Sequence, residues 1–137
     1  LVLKRSSLAH DRVTGAQDTV GLRVPGHPVA LALLRAFGNG VAAPSANRFG
    51  RISPTRAEHV VQDLGERVSL VLDGGPCAVG LESTILDLSG GEPRVLRPGG
   101  LSLDRLEAVL GSRPEVLRQA GATESDVRAP GTLERHY

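Results

Sequence analysis

The stretch STILDLSGGEPRVLRPGG, residues 83–100, holds two short aliphatic runs, each closed by a pair of glycines. Thr84, Ile85 and Leu86 lead into Ser89-Gly90-Gly91, and Val95 and Leu96 lead into Pro98-Gly99-Gly100. Runs of β-branched and aliphatic residues bounded by glycine turns read as strands. VSLVLDGG, residues 68–75, comes before them with the same ending and reads as a third strand. Three strands clustered late in the chain predict a mixed sheet rather than a purely parallel one.

Outward from that cluster, strands alternate with helices. LVLK, residues 1–4, reads as a short strand, DRVTGAQD as a polar turn, and TVGLRV, residues 19–24, as a strand stopped by Pro25. HPVALALLRAF, residues 27–37, spaces Val29, Leu33 and Phe37 with Ala30, Leu31 and Leu34 as a mostly buried helix, with Pro28 in its first turn and Gly38 at its end. GVAAPSAN starts as a brief strand and breaks at Pro44. Ser53 with Pro54, or Thr55 with Glu58 as a capping box, starts a helix that Gly65 closes. SLDRLEAVLG, residues 102–111, is an amphipathic helix. The expected fold is α/β, a twisted mixed open sheet with flanking helices over residues 1–111. Residues 112–137, increasingly polar with Gly and Pro, read as the start of an interdomain linker.

The chain has 137 residues, 40% hydrophobic and 23% charged, enough for one sizeable core. A formal net charge of +1 with scattered basic residues makes no case for a nucleic-acid or membrane partner. No apolar run reaches the roughly 18 residues of a membrane helix, and no secretory pattern opens the chain, so the expected location is cytoplasmic. Cys77 stands alone, which excludes a disulfide framework and the paired spacings that hold zinc. With no Met and a start at Leu1 inside an apolar run, the chain reads as part of a longer polypeptide.

The densest hydrogen-bonding capacity lies in VAAPSANRFGRISPT, residues 41–55. A loop of hydroxyls and backbone amides before a helix start can surround an anion. The plainer reading is that Ser45 and Asn47 satisfy local turns, Ser53 or Thr55 caps the helix and the arginines face water. Arg23, at the end of a strand, is either an edge residue or a fork aimed at a carboxylate or phosphate. Ser83, Thr84 and Arg97 sit at strand ends and carry the same two readings. Asp73 and Asp87 are candidates for magnesium, but DGG is a turn signal and Asp87 closes a strand, so no metal site is assigned. His10, His27, His59 and His136 show no metal or triad context, and neither familiar phosphate-loop motif is present.

Taken in order, TVGLRVPGHP, APSANRFGRISPT, LVLDGG, VGLESTILDLSGG and VLRPGGLS resemble the YrdC-like threonylcarbamoyl-AMP synthase family. The terminal APGTLERHY is similar to the linker that precedes a further C-terminal domain in that family's longer branch. The resemblance implies a twisted α/β fold and an L-threonylcarbamoyladenylate synthase, a nucleotidyltransferase. It would use L-threonine, bicarbonate and ATP, with Mg accompanying the nucleotide, and release pyrophosphate. The product serves threonylcarbamoyladenosine modification of tRNA, with tRNA-modification machinery and tRNA itself as partners. By the same resemblance Thr19, Ser45, Asn47, Ser53 and Arg97 help hold ATP. Arg23, Ser83 and the backbone near Ala43 take threonine, and His136 and Tyr137 cover the nucleotide from the linker. Phe49 stands where many relatives carry a second serine, and the family's N-terminal lysine, arginine and threonine-tyrosine motifs have no counterpart here. This chain alone is therefore expected to turn over little or nothing. Two other readings are a double-stranded RNA or tRNA-binding module, and a carbamoyl-transfer domain of the kind that matures hydrogenases.

Carbamoylated threonine has to bring a carboxylate to the α-phosphate of ATP. Two anions then need neutralisation and alignment rather than a covalent nucleophile, a task suited to arginine forks, hydroxyls and amides.

Overall fold

The computed structural model describes residues 1–117. Five strands form one sheet: β1 (Val2–Lys4), β2 (Thr19–Gly21), β3 (Ile85–Asp87), β4 (Arg94–Arg97) and β5 (Glu115–Val116), in the order β2-β1-β3-β4-β5. β1 pairs antiparallel with β2 and parallel with β3, β3 antiparallel with β4, and β4 parallel with β5. The sheet is mixed and open, as the late strand cluster predicts. The helices are α1 (Asp11–Thr14), α2 (Pro28–Phe37), α3 (Ala57–Leu64) and α4 (Leu103–Leu110). No helix among the described residues is long and apolar enough to cross a membrane.

The chain divides into two compact units. The first joins Leu1–Arg23 to the described residues from Leu81 onward and contains the whole sheet. Consecutive β4 residues enter different apolar clusters: Leu96 joins Val2, Ile85 and Leu117, while Val95 joins Leu86, Leu106 and the partly buried Leu88, Leu103, Leu110 and Val116. Both sides of β4 are thus covered, and α4 supplies Leu103, Leu106 and Leu110 at helical spacing. Ser102 caps α4 by accepting from the Arg105 amide, and Gly111 ends it in the left-handed conformation. An irregularity in the β3–β4 ladder sets Leu86 opposite Val95 but Ile85 opposite Arg97. One residue is skipped, and Arg97 is brought level with the start of β3.

Of the two buried polar residues of this unit, Thr14 and Asp87, Asp87 is the more deeply covered, 1% exposed. It accepts from the Ser89 hydroxyl at 2.6 Å, the Ser89 amide at 2.9 Å and Arg94 Nη2 at 2.7 Å. Burial pushes its pKa up, but the Ser89 and Arg94 hydrogen bonds outweigh that and hold it below the ordinary carboxylate value.

The second unit, Val24–Gly80, contains α2 and α3 and no fully buried residue. Its apolar stripe is visible instead of hidden: Val29, Leu33 and Phe37 of α2 are 37%, 47% and 61% exposed. The expected burial of this helix is therefore corrected. Residues 68–72 and 40–43 form no strand, because the described residues give them no ladder partner and extended backbone without one is not a strand. α3 starts at Ala57 from an Arg56 N-cap without a side-chain cap bond, not from Ser53 or Thr55. Elsewhere, β2 stops at Gly21, short of the expected Val24, and the polar stretch after β1 winds one helical turn, α1, closed by Gly15. β5 lies within residues 112–137, the stretch read from the sequence as the start of a linker, and pairs with β4.

Candidate functional site

In the first unit, two arginines from distant parts of the chain converge on one serine. Arg23, beyond the end of β2, donates from Nη2 to Ser83 Oγ at 2.7 Å. Arg97, the last residue of β4 with its side chain only 16% exposed, donates from Nη2 to the same oxygen at 3.1 Å. Its Nε and Nη2 also reach the Ser83 carbonyl at 3.0 and 2.9 Å. A serine hydroxyl has two acceptor sites and one proton. With both lone pairs taken by guanidinium groups, Ser83 has only its proton left to give, so it is set as a donor beside two cations. Glu82 Oε2, 3.6 Å from Arg97 Nη2, offsets part of that positive charge.

The segment carrying Ser83 is locked from below. Thr84 Oγ1 accepts from the Leu101 amide at 3.1 Å and donates to the Leu101 carbonyl at 3.4 Å. A Cβ on Gly99 would lie 2.3 Å from both the Glu82 carbonyl oxygen and the Thr84 amide nitrogen, and 2.6 Å from the Ser83 carbonyl carbon. The glycine turn after β4 thus rests backbone on backbone against residues 82–84, and only glycine allows that approach.

The candidates of the second unit lie in the loop before α3. Ala43 and Ser45 are exposed and Ser53 partly buried. Asn47 serves the loop itself: its Nδ2 donates to the carbonyls of Arg48 at 3.0 Å and Arg51 at 2.8 Å, closing a turn in which Gly50 has φ +78°. Arg48 and Arg51 do not face water unpaired, because both pair with Asp63 of α3. Phe49 is 93% exposed.

Of the residues singled out in the sequence, Arg23, Ser83 and Arg97 meet. Thr19 belongs to the same unit but opens β2 opposite Lys4, away from the end that leads to Arg23, and lines an open cleft of 740 Å³ with Lys4, Ser6, Ser7, His10 and Ser89. His136 and Tyr137 lie outside the described residues. Asp87 and Asp73 are engaged in structure, Asp87 as described and Asp73 by accepting from the Gly75 amide at 2.8 Å. Sequence reasoning passed over Gly99, whose doublet reads as an ordinary turn, and Asp63. An acid in the last turn of α3 opposes the helix dipole, a signal that a cation is held nearby.

The family model Sua5/YciO/YrdC, described as telomere recombination, matches residues 1–99. The chain is 51% identical over 126 residues to a threonylcarbamoyl-AMP synthase of Bacillus subtilis (strain 168), covering 92% of this chain and 36% of the relative. It is 41% identical over 140 residues to a Pyrococcus abyssi (strain GE5 / Orsay) threonylcarbamoyl-AMP synthase, covering 100% and 40%. Among solved structures it is similar to P. abyssi Sua5 complexed with L-threonine, with a TM-score of 0.88 and 40% identity over 99% of this chain and 40% of that one. The chain thus spans 36–40% of the length of these curated relatives.

Proposed function

The chain belongs to the Sua5/YciO/YrdC family, and we propose that it forms part of an L-threonylcarbamoyladenylate synthase acting in the cytoplasm. The reaction joins L-threonine, bicarbonate and ATP into threonylcarbamoyl-AMP, pyrophosphate and water, the water leaving as the threonine amine is carboxylated, for use in threonylcarbamoyladenosine modification of tRNA. One observation carries this reading: Ser83 Oγ accepts from both Arg23 and Arg97, which leaves donation of its proton as the hydrogen bond it can still make. Two guanidinium groups on one hydroxyl form a receptor for an oxyanion, and a planar carboxylate suits arginine forks better than a point cation would.

In this reading Arg23 and Ser83 take the threonine carboxylate. Arg97, beside them, turns its positive charge toward the phosphates of ATP. In the second unit, Ser45, Asn47 and Ser53 are assigned to ATP and the backbone near Ala43 to threonine, with Asn47 also keeping the loop in shape. Thr19 contributes to the nucleotide from the head of β2. The carbamate oxygen of carboxylated threonine attacks the α-phosphorus while the bond to the β-phosphate bridging oxygen breaks, and pyrophosphate leaves with that electron pair. Charge moves toward the leaving group, so fixed cations and donors stabilise the transition state more than the ground state. The described residues contain no group of three or more His, Cys, Asp or Glu able to hold a metal ion. Magnesium would accompany the nucleotide in this reading and help to neutralise its phosphates.

Pyrophosphate release by the full-length protein tests the reading. Release that requires both L-threonine and bicarbonate is expected, with little or none from this chain alone. ATP breakdown indifferent to threonine would overturn it.

A further inference from the structure

The second unit has no buried apolar residue to fix the loop over residues 45–53, so its shape depends on polar links. These converge on Asp63, whose side chain is 12% exposed. Asp63 Oδ2 accepts from the Arg48 amide at 2.6 Å, and its carbonyl accepts from Arg48 Nε at 2.8 Å. Its Oδ1 takes no hydrogen bond and is neutralised through Arg51 Nη1 at 3.3 Å and Arg48 Nε at 3.6 Å. Asn47 closes the same turn from inside, and the Arg51 amide donates to the Arg48 carbonyl at 3.1 Å.

Two arginines against one carboxylate leave this loop with a net positive charge, the sign a triphosphate requires. Without an anion between them the two guanidinium groups would repel, and the Arg48 amide would lose its acceptor. Asp63 supplies that anion before any ligand arrives. It stands in the last turn of a helix, where its charge is otherwise unfavourable. We infer that Asp63 is a positioning residue for nucleotide binding: it presets the loop containing Ser45 and Ser53 by holding the Arg48 amide and the Arg51 guanidinium. The inference rests on the proposed assignment of this loop to ATP.

The test compares wild type, Asp63→Asn and Asp63→Glu in the full-length protein. Asparagine keeps the size and an acceptor for the Arg48 amide but removes the charge; glutamate keeps the charge. MgATP and L-threonine are titrated separately by calorimetry, and amide hydrogen exchange is followed over residues 45–53. The expected result for Asp63→Asn is MgATP affinity about tenfold weaker, threonine affinity unchanged and faster exchange in the loop, with Asp63→Glu recovering part of each. Arg51→Ala cuts the same link from its exposed side and is expected to act in the same direction. Unchanged loop exchange overturns the inference, as does an equal loss for both ligands, which would mark general damage. Wild type failing to bind MgATP overturns the assignment of the loop instead, and the exchange result still decides whether Asp63 anchors it.

Discussion

The two units hold their candidate residues by different means. In the first, Arg97 is the last residue of a strand whose neighbours Val95 and Leu96 are buried in two clusters, so a hydrophobic core places the guanidinium. In the second, no residue is fully buried, and order comes from single polar links. Asp63 holds Arg48 and Arg51, His27 Nε2 lies 3.1 Å from the Gly74 carbonyl, and the Cys77 amide donates to the Thr55 carbonyl at 2.9 Å. A core is cooperative and tolerates the loss of a surface contact, whereas a set of separate links fails one link at a time. The lesson is that a hydroxyl in the first unit is placed by the fold, while one in the second is placed by its immediate neighbours.

The sharpest way to break that contrast is to remove the same atoms from each unit. Leu106→Ala opens a cavity in the cluster beneath β3 and β4 and is expected to cost about 3 kcal/mol. Leu33→Ala, at a site 47% exposed, should cost less than about 1 kcal/mol, since less apolar area is lost and alanine favours the helix. Denaturant unfolding of both variants measures the difference, and equal losses would mean that α2 is packed as tightly as α4.

Asp87 offers a smaller effect inside the first unit. Asp87→Asn weakens the hydrogen bonds from Ser89 and leaves Arg94 without its carboxylate, which should cost about 2 kcal/mol at neutral pH. The sign of its pH dependence follows from the depressed pKa. A carboxyl more acidic in the folded state contributes stability that is complete above the unfolded value of about 3.9 and fades as the pH falls below it. Wild type should therefore lose its advantage over Asp87→Asn between roughly pH 4 and lower values. A gap between the two that stays constant through that range would show that the charge of Asp87 contributes nothing.

Much of the first unit is legible in the sequence. The glycine-bounded runs of residues 83–100 give β3 and β4, and Ser102 with Gly111 frames α4, because these signals are local. VSLVLDGG carries the same local signal and forms no strand, since β-propensity acts only where a ladder partner exists. β5 is the converse: Glu115 and Val116 look unremarkable alone and become strand through pairing with β4. For the site, Arg23, Ser83 and Arg97 are visible as unusual residues at strand ends, but their meeting joins positions 60 and 14 residues apart, and no local pattern encodes that. Gly99 looks like any turn glycine until the backbone of residues 82–84 is seen against it.

The arrangement around Ser83 is tested most directly by calorimetric titration of L-threonine into the full-length protein and its Ser83→Ala, Arg23→Ala and Arg97→Ala variants. If the hydroxyl is held as a donor by both arginines, wild type binds and Ser83→Ala binds about tenfold or more weakly. The Arg23→Ala and Ser83→Ala losses should then fall short of additive in the double variant, because each removes part of one network. Threonine binding to Ser83→Ala with wild-type affinity, or fully additive losses, would contradict the account.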